Sequence, residues 1–325
     1  MTAEATLVKD SPNVDQIADA AYASGQVIQL ADGRAAAKAG LAACAVGDPA
    51  AFQTEGQFEL PKTASINLLD GQEAYWDHSA NTVTYTDSGN DRDFFLGVVV
   101  GDSLAAATTV VVNLNVRQRP IIDLQHSAFD TAIIKTVVGS TTVEVPEVFA
   151  RGGATFLTFG TTAEAQKVDL LSERSFAVGS KWIVEGIFNI VVNSDAAAGD
   201  INIGVASGTH DTNFDTIAEC MAIHIDGASL VLNAQSDDNV LAVAAATTGV
   251  SASAGVPVHF VMDGRNPDDI QLYINGANVL PSATFKTITG PLFLIAHAEK
   301  TSDDSPLTFR VDKFTCRTME QTNAA

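Results

Sequence analysis

Positive charge is what this sequence lacks most. Lysine and arginine number 18 against 39 aspartates and glutamates, for a net charge of −21. The deficit is spread along the chain: the first 124 residues carry 16 acidic and 7 basic side chains, the remainder 23 and 11. A nucleic-acid backbone is held by clustered Lys and Arg. The nearest approach here is Arg117-Gln118-Arg119, which reads as a linker or subunit contact. Nucleic acid is thereby excluded as a partner. An acidic surface keeps a densely displayed protein soluble and indifferent to DNA.

Other absences narrow the field further. Three cysteines, Cys44, Cys220 and Cys316, stand far apart without a CxxC or zinc spacing, so they read as small buried residues; a Cys220–Cys316 bridge is left open. No apolar run reaches the length of a membrane span. Met1 to Val14 lacks the apolar core of a secretory signal, which predicts folding in a cytoplasm. No HExxH, GxSxG or P-loop occurs. Long charged helix formers are scarce, whereas Ala, Val, Thr and Gly are abundant, and that bias favours strands and turns.

What is present is β pattern, most densely between Leu68 and Asn115. Glu73 to Asp77 carries two large aromatics, Thr82 to Thr86 alternates and is β-branched, and Asp87 to Asp91 supplies turn chemistry. Phe94 to Val100 is an apolar run of buried-strand length, broken by Gly101-Asp102, and Thr108 to Asn115 closes the set. Upstream, Gly25 to Leu30 alternates and ends in the Asp32-Gly33 turn. Gln16 to Tyr22 permits a helical turn, and Ala35 to Val46 is assigned to strand by its neighbours. Four short strands in under about fifty residues predict a small antiparallel barrel or sandwich.

These residues carry a resemblance. Asp70-Gly71 with Tyr75-Trp76-Asp77, the polar turn, Leu96-Gly97-Val98 and Thr109 to Leu114 resemble the small β-barrel cement proteins that decorate phage heads. Ser24 to Ile28 is similar to that family's opening strand, and Ala50 to Leu60 to the strand and turn after it. The resemblance spans about residues 1–124. It implies a virion protein on the outer capsid surface, made in the host cytoplasm, bound to the major capsid protein and trimeric over three-fold positions.

Arg119 to Leu124 reads as a seam, because Pro120 lacks an amide donor and ends ladder pairing. Beyond it, Ile133 to Val138 and Thr141 to Val145 flank Gly139-Ser140, a hairpin signal. From Thr155 to Thr315 a series of strands separated by polar or glycine-containing turns predicts a larger antiparallel sandwich. Gly255 to Asp263, then Ile270-Gln271-Leu272-Tyr273-Ile274-Asn275-Gly276, resembles the hairpin of concanavalin-like or laminin-G-like jelly rolls, with Phe309 to Phe314 as a closing strand. That fold hosts lectins, hydrolases and plain adhesion modules, so it fixes no function. Hydrolases of this fold carry two glutamates on one strand, whose carboxylates converge on a glycosidic oxygen. Glu185 and Glu219 are isolated, which argues against an enzyme.

Three acidic loops have oxygen ligands to offer a cation. In the first, Asp211, Asn213 and Asp215 stand at alternate positions, as in a calcium loop, but without its glycine and distal glutamate. The others are Asn266 to Asp269 and Ser302 to Asp304. Against a calcium site stands the plainer reading of solvated loops. His224 and His259 fall inside strands and read as structural, and Trp76 and Trp182 as core; Tyr273 is open between core and sugar stacking. The sequence therefore predicts an all-β chain: an extended arm over 1–16, a capsid-decoration-like barrel or sandwich over 17–124, a jelly-roll sandwich over 125–318 and a tail over 319–325. It predicts a non-catalytic head decoration protein without a cofactor, save weak calcium at Asp211, Asn213 and Asp215. The alternative is a lectin-like module for surface glycans.

Overall fold

The computed structural model describes residues 13–87, 90, 92–123, 133–140, 142–144, 154–193, 199–239, 242–280 and 288–318. The chain divides into two compact units, Met1–Gln118 and Arg119–Ala325.

In unit 1 the strands are β1 (Asn13–Ile17), β2 (Val27–Gln29), β3 (Ala35–Lys38), β4 (Pro49–Gln53), β5 (Gln57–Pro61), β6 (Glu73–Asp77), β7 (Thr82–Thr84), β8 (Phe94–Val99) and β9 (Thr109–Leu114). They form a four-stranded sheet in the order β1-β4-β3-β2 and a five-stranded sheet in the order β5-β9-β8-β6-β7. The alternation seen in the sequence sets the second sheet's faces: Ala74, Trp76, Val83, Val110 and Val112 are buried, and their strand neighbours are not fully so. A parallel bridge between Lys62 and Val83 links the two edges of this sheet and curls it toward closure, as a small barrel requires. Lys62 is itself buried, with Nζ donating to the carbonyls of Ile66, Ser103 and Leu104, so its charge ties three loop carbonyls together. Asn115 joins the two sheets: its side chain accepts from the Ala35 amide and donates to the carbonyls of Ala35 and Thr54. Gly97 sits where the β6–β8 register shifts, and a Cβ there would lie 2.1 Å from the Asn113 carbonyl oxygen, so only glycine fits.

Asn13 to Ile17 is a strand paired with β4, not a free arm or a helical turn; the hydrogen-bond ladder outweighs the weak helix preference of Gln16 to Tyr22. Residues 1–12 of the expected arm lie outside the described residues. The Ala-rich stretch is strand only over Ala35–Lys38, where it pairs with Val27–Gln29 across the Asp32-Gly33 turn.

Unit 2 holds β10 (Ile122–Asp123), β11 (Ile133–Val138), β12 (Thr142–Glu144), β13 (Thr155–Phe159), β14 (Glu164–Ser172), β15 (Phe176–Ala177), β16 (Trp182–Asn193), β17 (Asp200–Ala206), β18 (Glu219–Asp226), β19 (Val231–Asp238), β20 (Ala242–Ser251), β21 (Val258–Gly264), β22 (Gln271–Ile274), β23 (Ala277–Asn278), β24 (Pro291–Asp303) and β25 (Leu307–Thr318). Two eight-stranded antiparallel sheets result. The first runs β12-β13-β25-β16-β21-β22-β23 with β10 on β25, the second β11-β14-β24-β17-β18-β19-β20 with β15 on β24. Their facing sides enclose one apolar core that includes Trp182, Phe188, Phe260, Phe309, Ile203, Ile223 and Leu294. Gly264 makes room for it, since a Cβ there would meet the Trp182 indole at 2.1 Å.

One local expectation is corrected. Gly139-Ser140 does not close a hairpin: Val138 pairs with Lys167 in one sheet and Val143 with Leu157 in the other, so the turn carries the chain between layers. Each strand pairs along its whole length with a longer strand of its own sheet. The Phe309 to Phe314 segment lies in β25, the last of the described strands, which pairs with β13 on one side and β16 on the other. All three cysteines are free, with Cys220 and Cys316 buried in different sheets. Burial pushes the Cys220 thiol up to about 12, which keeps it protonated and inert.

Candidate functional site

Unit 1 exposes large apolar side chains at the end of β1 and on the loop that follows β3. Ile17 closes β1, and the backbone of Ala18 bonds to Asp48 and Gly47, which sets Ile17 beside the loop that joins β3 to β4. That loop contains Leu41 and Val46. Leu41, Val46 and Ile17 are 100%, 67% and 63% exposed, the most solvent-exposed large hydrophobics among the described residues. Beneath them the sheet is well anchored: Tyr22 packs edge-on against buried Phe52 at 5.3 Å, and Tyr22 and Cys44 form a backbone bridge. A shallow groove of about 470 Å³ runs along the same edge, lined by Asp15, Gln16, Ile17, Pro49, Ala50 and Ala51. Because β1 is the end strand of its sheet, its outer backbone groups face away from any strand of that sheet. Apolar side chains beside an end strand offer contact area rather than catalytic chemistry.

Of the seam residues, Arg117 and Gln118 are taken up locally. The Arg117 guanidinium lies 3.7 Å from the Phe95 ring centroid, and Gln118 donates to the Gly71 carbonyl. Cation–π contact of this kind fits a structural role.

In unit 2 the sequence-predicted residues disperse. Asp211, Asn213 and Asp215 lie on the loop between β17 and β18, where Asp215 accepts from Gln235 and the Thr216 hydroxyl organises the backbone through Asp211, Thr212 and Asn213. Glu219 is buried and accepts from the amides of Thr289 and Gly290 and the Thr289 hydroxyl. Trp76 and Trp182 are core residues, and Tyr273 is buried as well. Glu185 is not isolated: on the outer side of the first sheet it meets His259 at 3.2 Å, Lys313 at 3.0 Å and Arg317 at 3.1 Å. Burial would raise its pKa, but the Lys313 charge, the His259 hydrogen bond and the Arg317 charge hold it well below the carboxylate range. Every carboxylate oxygen there is engaged by a cation or imidazole, which makes the group a structural ion cluster.

The outer side of the second sheet carries an arrangement that sequence reasoning missed. The register places Asp169, His297, Asn202, His224 and Asn233 in one row across β14, β24, β17, β18 and β19. His297 Nδ1 lies 2.6 Å from Asp169 Oδ1, and His210, on the β17–β18 loop, places its Nδ1 2.5 Å from Asp169 Oδ2 and also donates its amide there. Phe214 from the same loop covers the His297 ring at 5.5 Å. Further along the row His224 Nδ1 lies 2.9 Å from Asn202 Oδ1 and 3.1 Å from Asp200.

Burial alone would discharge His297, yet Asp169, with help from Glu299, raises it to about 9. The Nε2–Glu299 contact, at 3.3 Å, lacks hydrogen-bond geometry, so Asp169 is the stronger influence. Asp169 is lowered in turn: burial opposes its ionisation, but the His297 hydrogen bond and charge and the His210 contacts prevail. In sequence each member of the row is a single polar residue between apolar ones, as in Val168-Asp169-Leu170, Ile201-Asn202-Ile203, Ile223-His224-Ile225 and Ala296-His297-Ala298. That was the available signal.

Comparison with known proteins gives one family and a set of folds. Residues 8–114 match the family of phage cement proteins. No curated protein matches the chain. Among solved structures, the Emp47p carbohydrate recognition domain is similar with 14% identity and a TM-score of 0.41, over 60% of this chain and 93% of that one. A Bacteroides ovatus GH16 protein of a mixed-linkage glucan locus gives 8% and 0.42, over 57% and 95%. The carbohydrate-binding module CBM66 from Bacillus subtilis gives 13% and 0.37, over 58% and 98%. Likenesses this remote carry no inference about binding or catalysis.

Proposed function

We propose that this chain, whose residues 8–114 match the phage cement proteins, is a non-catalytic capsid decoration protein in which unit 1 holds the head and unit 2 is the cargo it displays. The observation that carries the reading is that the family match falls within one compact unit, Met1–Gln118, which also bears the exposed Ile17, Leu41 and Val46. The capsid-facing surface in this reading comprises Ile17, Leu41 and Val46, the end strand β1 and the chain before it. A homotrimer belongs to the same reading: several modest contacts made together to a repeating lattice act as one strong clamp. The net charge of −21 suits a surface displayed in many copies, because like-charged decorations stay apart and soluble. Calcium at Asp211, Asn213 and Asp215 is no part of the docking argument. A glycan partner for unit 2 is the second reading, and it rests on the polar row that surfaces near Asp200 and His224.

The test is co-sedimentation of the purified chain with undecorated heads of the phage that encodes it. Saturable binding at a fixed copy number per capsid protein is expected. Heads that pellet without the chain at every concentration would refute the reading.

A further inference from the structure

We propose that Asp169, His210 and His297 form a binding site for a transition-metal dication of the zinc type, which fastens the β17–β18 loop to the second sheet of unit 2. These three are the one group of such side chains among the described residues whose ligand atoms all lie within 4.8 Å of one another, and all three are buried. They come from three separate places: Asp169 from β14, His297 from β24 and His210 from the loop between β17 and β18.

The donor set is selective. Two imidazole nitrogens and one carboxylate oxygen suit zinc, cobalt or nickel, whereas calcium and magnesium take oxygen ligands. Three protein ligands leave a fourth position for water. The surroundings are those of a metal ligand: His297 turns its distal Nε2 toward the Glu299 carboxylate at 3.3 Å, and Lys167 holds that carboxylate at 3.3 Å. A ligating histidine characteristically donates its other ring nitrogen to a carboxylate, which fixes the ring and strengthens it as a donor. Here the Glu299 carboxylate stands 3.3 Å from Nε2, which makes no hydrogen bond among the described residues and is left to donate to it. Lys167 and Glu299 are 18% and 17% exposed, so this side also offers an ion its way in.

Without a metal the same atoms make a hydrogen-bonded chain, since Nδ1–oxygen distances of 2.5 and 2.6 Å each enclose a proton. Zinc bonds of about 2.0–2.2 Å at tetrahedral angles set neighbouring ligand atoms roughly 3.3–3.6 Å apart. Binding therefore replaces the two bridging protons and opens each contact by roughly 0.8 Å. The His210 proton moves to its other nitrogen. His297, charged in the metal-free chain, gives its extra proton to solvent and keeps one on Nε2, facing Glu299. The site is independent of the capsid reading.

The experiment uses the full, untagged chain stripped with chelator and titrated with cobalt(II) and zinc(II), with calcium as a control. One cobalt per chain with a visible ligand-field spectrum is expected, displaced by zinc and accompanied by a rise in Tm and by proton release. His210→Ala, a loop change that spares both sheets, should abolish the spectrum. Glu299→Gln should keep the spectrum and weaken affinity about 10–100-fold. Absence of stoichiometric binding would show a hydrogen-bonded network only. A spectrum unchanged in both His210→Ala and Asp169→Asn would place the metal elsewhere. Either result overturns the proposal.

Discussion

The double substitution Ile17→Asp with Leu41→Asp is expected to reduce binding to phage heads by at least about 100-fold while the protein stays folded. Burying one large aliphatic side chain is worth about 1.5–3 kcal/mol, or roughly tenfold to a hundredfold in affinity. Two such losses compound, and placing a carboxylate in the same contact adds a desolvation cost. If copies bind as an assembly, the loss at each contact multiplies. Folding should be nearly untouched, because Leu41 and Ile17 are 100% and 63% exposed and surface changes usually stay within about 0.5 kcal/mol. Binding isotherms beside melting curves separate the two effects. Undiminished binding by the folded variant would remove Ile17 and Leu41 from the interface.

Glu185→Gln is expected to destabilise unit 2 by about 3–5 kcal/mol, the usual cost of removing one member of a buried ion cluster. The carboxylate is 1% exposed and faces Lys313, Arg317 and His259, so its loss takes a shared counter-charge from a largely buried group. Replacing Glu185, Lys313 and Arg317 together by apolar residues of similar size should recover most of that loss, since desolvation nearly cancels the attraction in such clusters. The pH dependence has a definite sign. The folded pKa of Glu185 is depressed, so its contribution is fully present above the unfolded value of about 4.3 and is lost as pH falls through the lower, folded value. Below about pH 4 the wild-type chain should therefore lose stability faster than Glu185→Gln. Denaturant titrations at neutral and acid pH read both effects. A cost below about 1 kcal/mol at neutral pH would mean that the cluster is solvated rather than buried.

The sequence made the strands and layers legible wherever one face is buried. Tyr75-Trp76-Asp77 and Thr82-Val83-Thr84 alternate because their neighbours across the core demand it. The family resemblance rested on those same aromatic, glycine and β-branched positions, and the family match covers residues 8–114. Local signals failed where partner choice decided the outcome. Gly139-Ser140 has the chemistry of a two-residue hairpin, but β11 and β12 each pair with a longer strand in a different sheet. Nothing within a few residues of that turn encodes the choice.

The polar clusters were hidden for the same reason. Asp169, Asn202, His224 and His297 each stand alone in an apolar strand, which marks them as unusual without showing that they share a row. Strand order and register across some 130 residues bring them together. Glu185 looked solitary because His259, Lys313 and Arg317 arrive from β21 and β25. The exposed apolar side chains of unit 1 were equally illegible: Ile17, Leu41 and Val46 belong to a strand end and a loop, where periodicity says nothing about exposure.

The most direct measurement is an electron cryomicroscopy map of heads saturated with this chain. The account predicts density for residues 13–118 against the capsid lattice, with Ile17, Leu41 and Val46 buried in the contact. A map in which unit 2 touches the capsid and those side chains face solvent would contradict it.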